Sequence, residues 1–191
     1  KRLGAVVEAY DVRSATREEV ESLGAKFVDT GVHADGAGGY ARELTEEEKQ
    51  QQQEVLEKHI IAADVVITTA AIPGRQAPQI ISKEVVEQMR PGAVIVDLAA
   101  ESGGNCELTK PGKQSQRKGV TIYGPVNVPS MLAIDTSESY SRNLMNFFNL
   151  IVKEGELELD WEDEILTGSV VTHAGEIKNR DIRERIEGEA E

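Results

Sequence analysis

Residues 5–13, with the sequence AVVEAYDVR, decide the fold of this chain. The run is apolar and rich in β-branched residues, which is typical of a buried β-strand, and it ends in an acid, Asp11, followed by Val12 and Arg13. In α/β domains that bind dinucleotides, the second strand ends in an acid that accepts hydrogen bonds from the adenosine ribose. Asp11 has the position of that acid and is therefore a candidate ribose ligand.

The glycine fingerprint of such a domain does not precede Asp11. A G-x-G-x-x-G motif is expected ~20 residues upstream of the acid, but only ten residues precede Asp11. Residues 1–5, KRLGA, read as the end of the preceding helix and its turn. We therefore expect a fragment that begins inside a nucleotide-binding domain, without the first strand and the pyrophosphate loop.

Downstream of this stretch, strand-like runs alternate with helical ones. The alternation predicts an α/β fold, Rossmann-like and doubly wound, with a mostly parallel sheet. Thr16 is expected to cap the first helix, and Thr45 and Glu48 predict a capping box on the second. Strands are predicted at residues 26–30, 65–69, 93–97 and 120–123, and helices at 16–25, 45–63, 82–88 and 139–153.

The pattern changes after Gly155. Residues 156–177 alternate polar and apolar residues around Thr167-Gly168, which predicts a hairpin with its turn there. The charged residues 178–191 are expected to form a solvated tail or a short exposed helix. The predicted organisation is a partial nucleotide-binding domain at 1–135, a linking helix and hairpin at 136–177 that return toward the missing N-terminal half, and a tail at 178–191.

Composition excludes several classes of function. A formal net charge of −13 argues against nucleic acid or an anionic membrane as a direct ligand. Cys106 is the single cysteine, so an internal disulfide is impossible and a reducing compartment is favoured. No apolar run approaches the ~20 residues of a membrane span, so direct membrane insertion is not expected. His33, His59 and His173 are scattered along the sequence, and we expect no metal site.

Several conspicuous segments occur in one order at α/β spacing. Together they resemble domain I of proton-translocating nicotinamide nucleotide transhydrogenase, the NAD(H)-binding part of its alpha subunit, over about residues 1–177. IPGRQAP and VDLAAESGGNCELT are the sharpest parts, because a generic dinucleotide fold needs neither. A more distant likeness, to alanine dehydrogenase, covers the same sheet. The segments are YDVR (10–13), GVHADGAGGYARE (31–43), VVITTAAIPGRQAP (65–78), GAVIVDLAAESGGNCELT (92–109) and YGPVNVPS (123–130).

The resemblance implies a set of cofactor-binding residues. The family's DxR segment lies at the adenosine ribose, where the acid selects NAD(H) because its charge would repel a 2′-phosphate. The end of a mobile loop closes over the nucleotide, and small residues at the end of a strand let the adenosine half approach the backbone. The matching positions are Asp11, Val12 and Arg13 at the ribose, Gly39 and Tyr40 in the loop, Thr69, Ala70 and Ala71 at the strand end, and Asn127 near the nicotinamide.

The residues alone leave structural alternatives open at several of these positions. Arg13 is typical of a surface cation, and Tyr40 of a ring packed on the following helix. Thr69 is typical of a strand end, and Asn127 of a turn between Pro125 and Pro129.

The resemblance implies no catalytic side chain. Hydride would pass directly from NADH to NADP+ held by a separate domain, so the protein would position the reactants. Asp97 and Glu101 are therefore not expected to act as a carboxylate pair, and Cys106 is expected to be a loop residue without a catalytic role.

The resemblance also implies partners and a location. These are an NADP(H)-binding domain, a membrane proton-channel domain, a second copy of the chain, and a peripheral place at the cytoplasmic face of the inner membrane or on the mitochondrial matrix side. The fragment alone is expected to be inactive. Two alternatives stay open: an oxidoreductase similar to alanine dehydrogenase, and a non-catalytic interaction domain with the same fold.

Overall fold

A parallel pair of two-residue strands begins the chain in the computed structural model, which describes residues 1–33, 44–72 and 74–188. Strand β1 (Glu8–Ala9) pairs with β2 (Lys26–Phe27), and helix α1 (Thr16–Ser22) connects them. The predicted cap on α1 is wrong: the N-cap residue is Ala15, and Thr16 is the first helical residue. Its hydroxyl instead donates to the carbonyl of Arg13 at 2.7 Å, which fixes the turn between β1 and α1.

The main sheet follows, and it is mostly parallel as predicted. In chain order its elements are α2 (Glu46–Ala62), β3 (Val65–Thr68), α3 (Lys83–Gln88), β4 (Val94–Asp97), β5 (Gln114–Arg117) and β6 (Val120–Tyr123). The spatial order of the strands is β3-β4-β6-β5, and only β5 runs antiparallel to its neighbour. The α/β class is therefore confirmed.

Helix α2 shows how sequence signals set a helix boundary. Thr45 accepts a hydrogen bond from the N–H of Glu48, and the Glu48 carboxylate accepts one from the N–H of Thr45, which confirms the capping box. Leu56 and Ile60 face inward from this helix and join one core with residues of α3, the sheet and the segment after β2. The buried members of that core are Val28, Leu56, Ile60, Ile81, Val85, Val86, Met89, Ala93, Ile95, Cys106, Val120 and Ile122.

Two details of the sheet are not evident from the sequence. Val65 and Ile67 are 57% and 64% exposed, because alternate side chains of β3 point to opposite faces and only Val66 and Thr68 face inward. Strand β5 escaped prediction because its sequence, QSQR, carries no apolar alternation. The two-residue loop Lys118-Gly119, with positive φ at both positions, turns β5 back onto β6.

The chain divides into two units, Lys1–Val126 and Asn127–Glu191. In the second unit, α4 (Val128–Met131) precedes α5 (Ala133–Ile151), which begins six residues earlier than predicted. The later elements are the hairpin of β7 (Val152–Lys153) and β8 (Glu156–Leu157), α6 (Glu164–Ser169), the hairpin of β9 (Thr172–His173) and β10 (Glu176–Ile177), and α7 (Arg180–Gly188).

The predicted hairpin turn at Thr167-Gly168 is wrong. Both residues lie in α6, whose N-cap, Asp163, accepts hydrogen bonds from the N–H groups of Ile165 and Leu166. The hairpins turn instead at Glu154-Gly155 and Ala174-Gly175, where all four residues have positive φ. Within the described residues, no helix combines the length and the apolar character needed to cross a membrane.

Candidate functional site

The carboxylate of Asp11 lies two residues beyond the end of β1. The Arg13 guanidinium binds it in a bidentate way, with Nε donating to Oδ1 at 2.9 Å and Nη2 donating to Oδ2 at 2.7 Å. The backbone N–H of Arg13 adds a third hydrogen bond to Oδ1, at 2.9 Å. Val12, between them, is half-buried. The DxR segment is therefore a compact local unit at the carboxyl end of a parallel strand, which is where open α/β sheets bind ligands.

These contacts decide the charge state of Asp11. Partial burial acts to raise the pKa of its carboxyl, but the hydrogen bonds from the side chain and backbone of Arg13 outweigh that effect, so the pKa lies below its usual value. Asp11 is thus a carboxylate at neutral pH. It can accept hydrogen bonds from a diol, and it would repel a phosphate.

Thr69, Ala70 and Ala71 follow the end of β3. Thr69 and Ala71 are exposed, and Ala70 is half-buried. The backbone of Ala70 is held by the side chain of Asn105: Oδ1 accepts from the Ala70 N–H at 3.0 Å, and Nδ2 donates to the Ala70 carbonyl at 2.8 Å. The small side chains leave this turn accessible from the outside while its backbone is fixed from the inside.

The loop after β4 contains a buried polar cluster that sequence reasoning did not single out as functional. Asp97 is fully buried, and Oδ2 accepts from the N–H groups of Asn105 at 2.8 Å and Cys106 at 3.0 Å, and from the Thr109 hydroxyl at 2.6 Å. Its Oδ1 accepts from the Thr68 hydroxyl and from the N–H of Ala99, each at 3.1 Å. Both oxygens of Asp97 are thereby engaged in holding backbone and hydroxyl groups, while Glu101 is exposed.

The loops after β3 and β4 are hydrogen-bonded to each other along their length. The N–H of Ala77 donates to the carbonyl of Ser102 at 2.7 Å, and the N–H groups of Ile80 and Ile81 donate to the carbonyl of Asn105 at 2.8 and 2.9 Å. The Nδ2 group of Asn105 donates to the carbonyl of Pro78 at 2.8 Å. The unusual segment VDLAAESGGNCELT was the sequence signal for this arrangement, but its pairing with the preceding loop depends on tertiary structure.

Cys106 lies in the core. The residue is 1% exposed, and burial raises the pKa of its thiol. A buried thiol of raised pKa is a poor nucleophile, because the thiolate is the reactive form. In the described ranges, no three side chains of His, Cys, Asp or Glu form a group that could hold a metal ion.

Three further residues were predicted to bind the cofactor: Gly39, Tyr40 and Asn127. Gly39 and Tyr40 lie outside the described residues. Asn127 belongs to the second unit, where it is exposed and has a left-handed backbone, with φ at 49°. Its carbonyl accepts hydrogen bonds from the N–H and the hydroxyl of Ser130 at 3.0 and 2.8 Å, so Asn127 is the N-cap residue of α4 and takes part in its first turn.

Known proteins resemble this chain over most of its length. The family model for the alanine dehydrogenase/PNT C-terminal domain matches residues 1–180. The first part of the NAD(P) transhydrogenase alpha subunit of Rhodospirillum rubrum is 48% identical over 183 residues, which cover 93% of this chain and 48% of that protein. The chain therefore spans about half the length of such relatives.

Solved structures agree with the sequence comparison. The transhydrogenase of Sinorhizobium meliloti matches with a TM-score of 0.72 and 42% identity, covering 92% of this chain and 46% of that one. An L-alanine dehydrogenase matches with a TM-score of 0.66 and 21% identity, covering 100% of this chain and 48% of that one, and it bears on the fold alone. The Rossmann-like fold class is confirmed.

Proposed function

Because the chain belongs to the family of alanine dehydrogenase and PNT C-terminal domains, we propose that it is the NAD(H)-binding part of a transhydrogenase that passes hydride between NADH and NADP+. The observation that carries this proposal is the ionised Asp11 carboxylate at the end of β1, bound by Arg13. A carboxylate at this point of a doubly wound fold accepts hydrogen bonds from the adenosine ribose.

The residues of the chain fit the adenosine half of the cofactor. Asp11 would accept hydrogen bonds from the ribose hydroxyls, and its charge would disfavour the 2′-phosphate of NADP(H). The exposed turn at residues 69–71 would let the nucleotide lie close to the backbone. Arg13, bound in a bidentate way to Asp11, would orient that carboxylate, with Val12 between them.

When bound, the nicotinamide supplies the hydride chemistry, and the side chains of this chain do the positioning. Gly39 and Tyr40 would close a loop over the nucleotide and exclude water, and Asn127 would lie on the nicotinamide side. No proton transfer by a side chain is needed, because hydride would move directly between two nicotinamides.

Nucleotide binding tests the proposal directly. The protein is extended at its N-terminus to the length of its relatives, and NADH and NADPH are titrated while the fluorescence of the reduced nicotinamide is followed. We expect NADH to bind and NADPH to bind much more weakly. Replacing Asp11 by Ala should weaken NADH binding by about tenfold or more, since hydrogen bonds to charged groups contribute ~1.5–3 kcal/mol.

Asp29 provides a matched control for Asp11. It follows β2, the strand paired with β1, and its side chain is 49% exposed in an ion pair with Arg17. Asp29→Ala removes the same charge from the neighbouring strand end and should leave NADH binding unchanged. Failure of the unsubstituted protein to bind either nucleotide would overturn the cofactor assignment and favour the interaction-domain alternative.

We further propose the partners implied by the family. NADP(H) would be held on a separate domain, and a membrane domain would couple the hydride transfer to proton translocation. The net charge of −13 would repel an anionic bilayer, which supports peripheral attachment through protein partners, at the cytoplasmic face of the inner membrane or on the mitochondrial matrix side. Because the second nucleotide would be held on another domain, we expect the isolated chain to be inactive.

Alanine dehydrogenase activity is the alternative within the enzymes. The identity of 48% to a transhydrogenase subunit, against 21% to an L-alanine dehydrogenase structure, favours the first assignment. An activity assay on the complete complex separates them: NADH-dependent reduction of an NADP+ analogue supports the transhydrogenase, whereas alanine-dependent formation of NADH would replace it.

A further inference from the structure

The buried side-chain amide of Asn105 hydrogen-bonds to the backbone of the turn after β3. The proposed nucleotide site does not include this residue. Asn105 is 0% exposed, and its side chain makes three hydrogen bonds to the backbone of another loop, two to Ala70 and one to Pro78. We propose that Asn105 is a positioning residue that fixes the backbone of residues 69–71 for the adenosine half of the nucleotide. This inference rests on the proposed function and adds a residue to it.

Hydrogen bonds on both sides of its peptide fix the backbone of Asn105. The Asp97 carboxylate accepts from the N–H of Asn105 at 2.8 Å and from the Thr109 hydroxyl at 2.6 Å, while the carbonyl of Asn105 accepts from Ile80 and Ile81. The backbone of Asn105 is therefore fixed to Asp97 at the end of β4, and its side-chain amide contacts Ala70 in a single orientation. Its complete burial means that it acts on a ligand only through the peptide that it holds.

The buried polar groups of Asp97 and Asn105 are better explained by a role in fixing the conformation of the loops than by a gain in stability. Burying a carboxylate and an amide costs free energy that an apolar side chain of similar size would not cost. The cost is acceptable here because both oxygens of Asp97 and both polar atoms of the Asn105 amide have partners. A fully satisfied buried network specifies one conformation of the loops that it joins, and one of those loops is the predicted adenosine contact.

The test uses the N-terminally extended protein, with NADH as the probe. Asn105→Asp keeps the shape of the side chain and the acceptor for the Ala70 N–H, but it places an oxygen against the carbonyls of Ala70 and Pro78. We expect the Kd for NADH to rise about five- to thirty-fold, with Asp11 still ionised. Thr109→Val, which removes the hydroxyl bound to Asp97, should raise the Kd in the same direction, and Thr109→Ser should restore it.

A core variant separates positioning from loss of stability. Val120 is 0% exposed and begins β6. It therefore lies at the amino ends of the parallel strands, whereas the loops after β3 and β4 lie at their carboxyl ends. Val120→Ala should lower the unfolding temperature but change the Kd by less than about twofold. Amide hydrogen exchange at Ala70 gives a second readout. In Asn105→Asp, repulsion between the new oxygen and the Ala70 carbonyl should displace the turn and accelerate this exchange, whereas Val120→Ala should leave it unchanged.

The outcomes decide the inference separately from the proposed function. The positioning role of Asn105 is overturned if the Asn105→Asp variant folds and binds NADH with the same Kd as the unsubstituted protein. It is also overturned if Val120→Ala raises the Kd for NADH as much as Asn105→Asp does. If Asn105→Asp does not fold, an unchanged Kd in Thr109→Val overturns it instead. If the unsubstituted protein binds no NADH, the proposed function fails and this inference fails with it.

Discussion

At the scale of single residues, two carboxylates in and after β1 have different kinds of partner. Glu8 lies in the strand, and Asp11 lies two residues beyond it. Asp11 is bound by Arg13, two residues away. The Glu8 carboxylate meets residues from two other elements: Lys26 Nζ lies 3.1 Å from Oε1, and His59 Nδ1 lies 2.6 Å from Oε2. Glu8 thus ties β1 to β2 and α2 just before the chain reaches Asp11.

The Glu8 contacts predict a pH dependence of stability. Hydrogen bonds from His59 and then Lys26 lower the pKa of the Glu8 carboxyl. A group whose pKa is lower in the folded state adds stability above its unfolded pKa, ~4.3 for Glu, and loses it as the pH falls through the folded value. Because these side chains are about one third exposed or more, we expect Glu8→Gln to cost only ~0.2–1 kcal/mol at neutral pH.

Urea unfolding at a series of pH values measures this contribution. The difference in the free energy of unfolding between the unsubstituted chain and Glu8→Gln should be largest at neutral pH, should shrink as the pH falls below the unfolded pKa of ~4.3, and should vanish once the carboxyl is protonated in the folded state as well. Glu21→Gln, at an exposed position of α1, is the control and should give no such difference. A difference for Glu8→Gln that stays constant into acid would contradict the lowered pKa.

At the scale of elements, Gly104 allows the loop after β4 to pass close to the Asp97 carboxylate. Gly104 has φ at +83°, and a Cβ there would lie 2.8 Å from Asp97 Oδ2 and 3.0 Å from Thr109 Cβ. The residue therefore meets two requirements at once: a left-handed backbone, and space for the carboxylate that holds the loop. Gly92, before β4, has φ at +92° and nothing within 4 Å of the same atom, so it meets only the first requirement.

Comparing alanine substitutions at Gly104 and Gly92 separates the cost of crowding from the cost of backbone strain, because both glycines have positive φ. Gly104→Ala and Gly92→Ala both force alanine into a left-handed conformation, but only Gly104→Ala also crowds a buried cluster. We expect Gly104→Ala to lower the free energy of unfolding by ~1–3 kcal/mol more than Gly92→Ala does, since overpacking a core typically costs that amount. Equal losses in urea unfolding would show that the cluster can move aside.

The elements that could be predicted from the sequence are those with strong local signals. The capping box of Thr45 and Glu48 predicted the start of α2, and the runs at residues 93–97 and 120–123 predicted strands β4 and β6. One hairpin was predicted, with its turn at the wrong position, and two were missed. The loops of the three hairpins place Lys118, Glu154 and Ala174 at positive φ, where Asn or Asp is the usual signal. At the candidate site, Asp11 was predictable from its strand, whereas the hold of Asn105 on Ala70 joins residues 35 positions apart and has no local signature.

At the scale of the whole molecule, apolar surface lies exposed in both units. Val65 and Ile67, on one face of β3, are exposed in the first. In the second, no residue of α5 is buried, although the whole of that helix is described. Its apolar side chains include Leu144, Met145 and Phe148, which are 52%, 58% and 55% exposed. Contiguous apolar surface of this kind marks interaction sites.

The last prediction concerns helix α5 and the second copy of the chain that the family resemblance implies as a partner. Stable interfaces bury about 800 Å² per partner and depend on a few central aromatic or other large side chains. Phe148 is such a side chain, so we expect Phe148→Glu to shift the protein from dimer to monomer in sedimentation velocity. Ser139→Glu adds the same charge at an exposed polar position on the opposite face of α5 and should leave the dimer intact. An unsubstituted protein that stays monomeric across the concentration range would refute the dimer, whereas a dimeric Phe148→Glu variant would place the interface elsewhere.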